Sequence, residues 1–128
     1  MKVPQPTPEP VLASREWGMG NRAARALLLH GSTSSSATWW RLGPALAELG
    51  WAVTALDLAS HGSSPRQYAP LTPQGAATAV ATPIAGRRFA LLIGHSFGAS
   101  TAVALVAMPP TPVERVVLEE LLGPDGVD

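Results

Sequence analysis

The sequence has no cysteine, and its content of charged and aromatic residues is low. The absence of cysteine from 128 residues excludes disulfides, thiolate zinc sites and a cysteine nucleophile. Nine basic and nine acidic residues balance to a net charge of zero, and the arginines are scattered along the chain, which argues against a nucleic-acid partner. No apolar run approaches the length of a membrane span, and no signal peptide follows Lys2. We therefore expect a cytoplasmic protein with no membrane partner.

The composition that remains is that of a small globular domain with an irregular N-terminal arm. Hydrophobic residues make up 46% of the chain and charged residues 14%, which is enough apolar surface to form a core. Residues 1–10 alternate proline with polar residues, a pattern typical of an extended, disordered arm. We expect residues 11–128 to form the domain.

Short apolar runs alternate with helical patterns along the domain. A short edge strand is predicted within residues 11–17. Buried strands are predicted at 26–29, 51–56, 89–93 and 113–118, where apolar residues follow one another without polar alternation. Helices are predicted at 39–49, where Pro44 favours a short or bent helix, at 74–84, where Pro83 should end the helix early, and at 98–108.

This alternation predicts an α/β fold with a doubly wound, mostly parallel sheet. Because crossover connections are right-handed, the carboxyl ends of the parallel strands meet at one edge of the sheet. That edge would carry His30-Gly31-Ser32, residues 57–64, Ser96 and Glu119-Glu120. Ligands of open parallel sheets bind at this edge, so we place the candidate site there.

The segment Gly94-His95-Ser96-Phe97-Gly98 has the pattern of a nucleophile turn. A serine that must present its hydroxyl between a strand and a helix sits on a tight, strained turn, where side chains two residues to either side would collide. The segment follows Leu91-Leu92-Ile93 and precedes a predicted helix, which is the context that the motif requires. We predict that Ser96 is a catalytic nucleophile.

Two backbone N–H groups are predicted to form an oxyanion hole. The N–H of Phe97 lies at the start of the helix after Ser96, where it can donate to a developing negative charge. The second donor should come from the loop after an earlier strand. Gly31 allows close approach of the backbone there, so the N–H of Ser32 is our candidate.

Four segments together resemble the α/β-hydrolase fold superfamily, in its esterase, lipase and epoxide-hydrolase-like branch. They are the run ending in His30-Gly31, the Trp39-Trp40 pair, residues 57–64, and Gly94 to Gly98. They occur in the family's order and at roughly its spacing, over residues 11–120. A serine at position 96 disfavours the branches that use an aspartate nucleophile. The resemblance implies a serine hydrolase for ester or related acyl bonds, with no cofactor and no metal.

The resemblance also implies roles for the residues around Ser96. Asp57 is expected to shape the loop beneath the active site rather than to act as the triad acid. His30, Gly31 and His61 are expected to contact substrate, with His61 at the mouth of the pocket. His95 is expected to pack and hydrogen-bond under the nucleophile turn.

The histidine that should activate Ser96 is missing from its expected place. In this fold the chain order is serine, then an acid, then histidine, whereas His30, His61 and His95 all precede Ser96. We therefore expect the chain to be the N-terminal half of the fold, truncated before its base. Glu119 or Glu120 could be the acid, as in some branches, or simply a strand-end carboxylate that holds a loop.

These observations leave several functions open. The first is a truncated serine hydrolase with a small-molecule ester or acyl substrate. The second is a catalytically inactive chain that acts by association, since its last strand would leave an unprotected, apolar sheet edge suited to self-association. The third is an acyltransferase or thioesterase, which uses the same nucleophile turn. The substrate itself is not predictable from these residues.

Overall fold

A computed structural model describes residues 11–22, 24–67, 71–108 and 113–120 of the chain. Its strands are β1 (Ser14–Trp17), β2 (Ala24–Leu29), β3 (Trp51–Leu56), β4 (Phe89–His95) and β5 (Val113–Glu119). Its α-helices are α1 (Leu42–Glu48), α2 (Pro73–Ile84) and α3 (Phe97–Val106), and a short 3₁₀ helix spans Ser36–Trp39. The predicted arm at residues 1–10 lies outside the described residues.

Within the described residues the strands form one sheet in the order β1-β3-β2-β4-β5. The neighbours from β3 to β5 are parallel, and β1 pairs antiparallel with β3 at the edge. A helix follows each of β2, β3 and β4 and returns the chain to the next parallel strand. The predicted doubly wound, mostly parallel α/β fold is thereby confirmed.

The sheet is covered on both faces because its central strands carry apolar side chains in both directions. On β2, Leu27 and Leu29 pack with α2 and α3 on one face, and Leu28 packs with Trp39 and the α1 side on the other. All three leucines are completely buried. Burying a leucine side chain contributes about 1.5–3 kcal/mol to stability. With three such leucines packed on both faces, β2 lies at the centre of the core and gives the loop that follows it a rigid support.

The two prolines have different effects on their helices. The short helix expected at Pro44 is confirmed, since α1 has seven residues. Pro44 is the third residue of α1, where a missing N–H would have no helical acceptor in any case. The predicted early end of α2 at Pro83 is wrong, because the helix includes Pro83 and ends at Ile84. The buried side chains of Val80 and Ile84 hold this last turn against the core.

Strand β5 is the outer strand beyond β4 and is exposed along nearly its whole length. The side chains of Val116, Val117 and Leu118 are 38–49% exposed. The unprotected apolar edge predicted from the sequence is therefore present among the described residues, and self-association through it stays a prediction. None of the described helices is long and apolar enough to cross a membrane.

Candidate active site

The strand register brings three loops together at one edge of the sheet. Leu29 of β2 lies beside Gly94 of β4, and His95 of β4 lies beside Glu119 of β5. The loops that begin at His30, Ser96 and Glu120 therefore leave the sheet as immediate neighbours. This is the edge at which the sequence places the site.

Ser96 occupies a strained turn between β4 and α3. Its backbone has φ +54° and ψ −116°, a combination that residues other than glycine rarely adopt. The Ser96 N–H donates to the Glu119 carbonyl at 2.8 Å, and its own carbonyl accepts from the N–H of Ala99 at 2.9 Å and of Ser100 at 3.2 Å. These bonds hold the backbone in place, while the hydroxyl makes no hydrogen bond within the described residues.

The glycines around Ser96 are required by close backbone approach. A Cβ on Gly98 would overlap the carbonyl groups of Leu29 and His30, and one on Gly94 would overlap the backbone of Gly98. A Cβ on Gly31 would lie 3.3 Å from the Ser96 Cβ, so the loop after β2 already touches the turn. The motif glycines thus allow α3 to start directly against the end of β2.

Two backbone donors lie beside this turn. Phe97 is the first residue of α3, so its N–H has no acceptor in the preceding helical turn. Ser32 follows the buried Gly31 and is exposed, and its N–H donates no hydrogen bond within the described residues. The Gly31 carbonyl accepts from the Ser34 N–H at 3.3 Å, which folds the loop into a turn. Both predicted oxyanion donors therefore stay available.

His30 is placed differently from the prediction that it contacts substrate. The residue is fully buried, its Nδ1–H donates to the Gly31 carbonyl at 2.7 Å, and its Nε2 accepts from the Leu58 N–H at 3.0 Å. Both ring nitrogens are thus used within the protein. The ring ties the loop that carries Ser32 to the loop after β3 and leaves no atom for a ligand.

Burial also disfavours the charged form of the His30 ring. Desolvation lowers its pKa from the ordinary value, and the nearby His61 adds to this effect. The bond to the Gly31 carbonyl and the Asp57 carboxylate act in the opposite direction without cancelling it. A neutral ring is what the geometry requires, since a protonated Nε2 could not accept from Leu58.

Asp57 joins the same two loops from the other side. Its Oδ1 accepts from the Ser36 N–H at 2.7 Å and its Oδ2 accepts from the Ser63 N–H at 3.0 Å. Burial raises the pKa of Asp57, but the hydrogen bonds from Ser36 and Ser63 outweigh it and hold the pKa below its usual value. With both oxygens occupied, Asp57 shapes these loops, as the sequence interpretation has it.

The other two histidines lie near the site without reaching Ser96. The half-buried ring of His61 lies 5.1 Å from the His30 ring at a tilt of 55°, and its Nδ1–H donates to the Ala59 carbonyl at 2.9 Å. His95 does not lie under the turn as expected. Its ring is 36% exposed and lies 3.7 Å from the carboxylates of both Glu119 and Glu120.

The pairing of His95 with two glutamates was missed from the sequence. This pairing could have been inferred by aligning the ends of the two predicted strands, because His95 and Glu119 are the last residues of the neighbouring parallel strands β4 and β5. Glu120 then turns its backbone to φ +55°, which brings its carboxylate to the other ring nitrogen. The candidate acids thus lie at the nucleophile turn, facing His95.

The buried His30 makes a prediction about stability and pH. In the unfolded chain the ring has its ordinary pKa of 6.5, and in the folded chain the pKa is lower, so the unfolded state binds more protons between these two values. The contribution to stability is therefore complete above pH 6.5 and is lost as the pH falls from there through the folded pKa. The lowered pKa of Asp57 adds a second loss below its ordinary 3.8.

Urea unfolding at about pH 7.5 and about pH 5, a range that brackets the ordinary histidine pKa, tests this prediction. Wild type should be less stable at the lower pH, and His30→Gln should flatten that difference because it removes the buried titrating ring. His95→Gln is the comparison variant, since it removes a partly exposed ring and leaves the buried His30 in place. An unchanged pH dependence in His30→Gln would show that the ring is not the cause.

The fold and the turn at Ser96 define the chain as having the α/β-hydrolase fold, and the comparisons with known proteins agree. The alpha/beta hydrolase family matches residues 26–128, so the chain belongs to that family. It is 30% identical over 119 residues to a serine hydrolase-like protein of Dictyostelium discoideum, and 37% identical over 97 residues to lipase LipV of Mycobacterium tuberculosis. These matches cover 88% and 74% of the chain.

A solved structure gives the same result. The thioesterase domain from the curacin biosynthetic pathway superposes with a TM-score of 0.78 at 26% identity, over 88% of this chain. The chain spans 32% and 36% of the length of the two curated relatives and 43% of the thioesterase domain. The described sheet therefore corresponds to less than half of each relative.

Proposed function

We propose that these residues form the nucleophile and oxyanion-hole part of a serine hydrolase that acts on ester or related acyl bonds. The observation that carries the proposal is the strained Ser96 turn, whose hydroxyl has no hydrogen-bond partner among the described residues. Backbone strain of this kind costs on the order of 1–3 kcal/mol and is concentrated at functional sites. A serine held there only as part of the core would gain nothing from that strain.

In the proposed reaction the Ser96 Oγ attacks the acyl carbonyl carbon while its proton passes to a base. The carbonyl oxygen becomes negative and accepts hydrogen bonds from the N–H groups of Phe97 and Ser32. The bond to the leaving alcohol or thiol then breaks, and the proton is returned to that group. Water then attacks the acyl-serine while the base takes its proton. The bond to Ser96 breaks, which releases the carboxylic acid and returns a proton to the serine.

None of the three histidines of this sequence is hydrogen-bonded to the Ser96 hydroxyl among the described residues. His30 is buried with both nitrogens bonded, and His61 donates to a backbone carbonyl. His95 faces Glu119 and Glu120. We propose that a histidine outside residues 1–128 serves as base, with one of these glutamates as a candidate acid.

Support for acyl chemistry comes from the relatives. One curated relative is a lipase, and the superposed solved structure is a thioesterase domain. Both names fit attack of a serine on an acyl carbon, with an alcohol or a thiol as leaving group. A thioesterase or acyltransferase is the alternative within the same chemistry. Gly31 and His61 remain our candidates for substrate contact at the mouth of the site.

Rescue by added imidazole tests whether Ser96 is the nucleophile. Imidazole in solution can replace the missing base, so incubation with p-nitrophenyl butyrate should place a butyryl group on Ser96, detected by mass spectrometry of the digested chain. The Ser96→Ala variant should lose this adduct. Ser100→Ala, one turn along α3, is the matched control and should keep it. A folded chain that acylates elsewhere, or not at all, would contradict the proposal.

A further inference from the structure

Four arginines that are scattered in the sequence line one surface cavity. Arg22, Arg25, Arg87 and Arg88 surround a cavity of about 470 Å³, together with Ala24, Gly86, Ala90 and Glu114. The cavity, which we call the basic cleft, lies where β2, β4 and β5 begin. Since these strands are parallel and Ser96 follows the carboxyl end of β4, the basic cleft lies at the opposite, amino-terminal ends of the strands.

The strand register explains why the cleft is open and why charges line it. Ala26 pairs with Leu91, which sets Arg25 level with Ala90 on the next strand. Leu91 in turn pairs with Arg115, which sets Glu114 level with Ala90 on its other side. The small side chain of Ala90 therefore separates a cation from an anion and leaves a depression between them.

A tight turn brings the other pair of arginines to the same depression. Gly86 has φ +77°, and the Arg87 N–H donates to the Ile84 carbonyl at 3.0 Å as the chain turns from α2 towards β4. This turn delivers Arg87 and Arg88 directly before the first residue of β4. A φ in this range favours glycine, so the position of the pair depends on Gly86.

Among the described residues, no acidic side chain forms an ion pair with the arginines of the basic cleft. In the described ranges, no carboxylate lies within 4.0 Å of any of the four guanidinium groups. The ion pairs found in those ranges are the two that His95 makes with Glu119 and Glu120. Four cations face one carboxylate, that of Glu114, although the chain as a whole has a net charge of zero. An unpaired concentration of one sign in a concave surface attracts an ion of the opposite sign.

We propose that the basic cleft binds a compact polyanion with two adjacent phosphoryl groups. A guanidinium presents paired N–H donors that match two oxygens of one phosphate, so four arginines can hold more oxygens than a single carboxylate offers. The cavity is large enough for a diphosphate and for part of an attached group. The site is separate from Ser96 and does not depend on the function proposed for it.

Calorimetric titration of the chain with inorganic pyrophosphate at low ionic strength tests the proposal. We expect saturable binding that weakens as salt is added, because charges at an exposed site are screened over about 10 Å at 0.1 M salt. Each lost guanidinium should weaken binding about tenfold, as expected for a charge-assisted hydrogen bond. The variants are Arg25→Gln and the double variant Arg87→Gln/Arg88→Gln. All three side chains are exposed, so the fold should survive.

Two further variants make the result specific to the basic cleft. Arg15→Gln removes an exposed arginine from β1 at the far edge of the sheet and should bind as wild type does. Glu114→Gln removes the single opposing charge and should strengthen binding. The proposal is overturned if pyrophosphate does not bind saturably, if Arg15→Gln weakens binding as much as Arg25→Gln, or if Glu114→Gln fails to strengthen it.

Competing anions distinguish the source of the phosphoryl groups. Tighter binding of a nucleoside diphosphate than of pyrophosphate would support the proposal and assign the site to an organic diphosphate. Equal binding of the two would support it for the inorganic ion. Citrate, which carries three carboxylates, should bind more weakly, and equal or tighter binding of citrate would overturn the preference for phosphoryl groups.

Discussion

A fluorophosphonate probe is expected to label Ser96 of the 128-residue chain no faster than it labels an ordinary exposed serine. The probe reacts with an activated serine, and activation requires a base that removes the hydroxyl proton. Ser96 has no hydrogen bond to any histidine among the described residues. Loss of the base alone lowers turnover of a serine triad enzyme by on the order of 10⁶.

The proposed oxyanion hole would not compensate for this loss. Its donors and substrate binding retain on the order of 10³-fold over water in intact enzymes that lack a triad member. The expected labelling is therefore far below that of a complete triad. Intact-mass measurement over time, with Ser96→Ala as background and Ser100→Ala as the control for a neighbouring hydroxyl, gives the rate. Rapid labelling that Ser96→Ala abolishes would mean that a base is present after all.

Replacement of Gly98 by alanine is expected to destabilise the fold strongly. The new Cβ would overlap the backbone carbonyls of Leu29 and His30, which belong to the rigid centre of the core and cannot rotate away. Overpacking of this kind costs about 1–3 kcal/mol and more where the backbone must move. Such a loss is a large part of the stability of a small domain.

Urea unfolding followed by circular dichroism measures the effect on a matched pair of variants. Gly98→Ala should lower the unfolding midpoint strongly or leave the chain unfolded. Gly20→Ala adds the same methyl group where no atom lies within 4 Å, and it should change stability by less than about 0.5 kcal/mol. Similar midpoints for the two variants would show that α3 does not start against β2 as described.

Together with Ser96→Ala, these variants would separate two roles of the tight turn at Ser96. Gly98 acts on the fold, because it allows α3 to approach β2, whereas the Ser96 hydroxyl contacts nothing in the described residues and should be dispensable for stability. Ser96→Ala is therefore expected to keep the wild-type midpoint while losing the imidazole-dependent adduct. Stability and reactivity at this turn depend on different atoms.

Local patterns were sufficient for the strands and for the turn at Ser96. The run 51–56 was predicted as a buried strand and is β3 with the same bounds, because unbroken apolar residues are stable only between two covered faces. The Gly94 to Gly98 spacing predicted a strand-to-helix turn, because the constraint acts between residues that are close in sequence. Pro83 was misjudged because packing of Val80 and Ile84 outweighs the local preference.

The tertiary structure decided what the side chains around the turn touch. The His30 ring accepts from Leu58, 28 residues away, and this contact converts a predicted substrate residue into a support for the loop of Ser32. His95 meets Glu119 and Glu120 only because β4 and β5 are neighbours in register. Contacts of this kind depend on strand order and register, which no local pattern encodes.

The sequence by itself determined the kind of sheet, the strained turn and the absence of a histidine after Ser96, since each follows from residue types and their spacing. The structure alone decided that His30 is buried with both ring nitrogens bonded, that Asp57 bonds to Ser36 and Ser63, and that four dispersed arginines share one cleft. The physical reason is the same in each case. Burial and charge clustering are properties of residues distant in sequence, and only the folded chain brings those residues within contact distance.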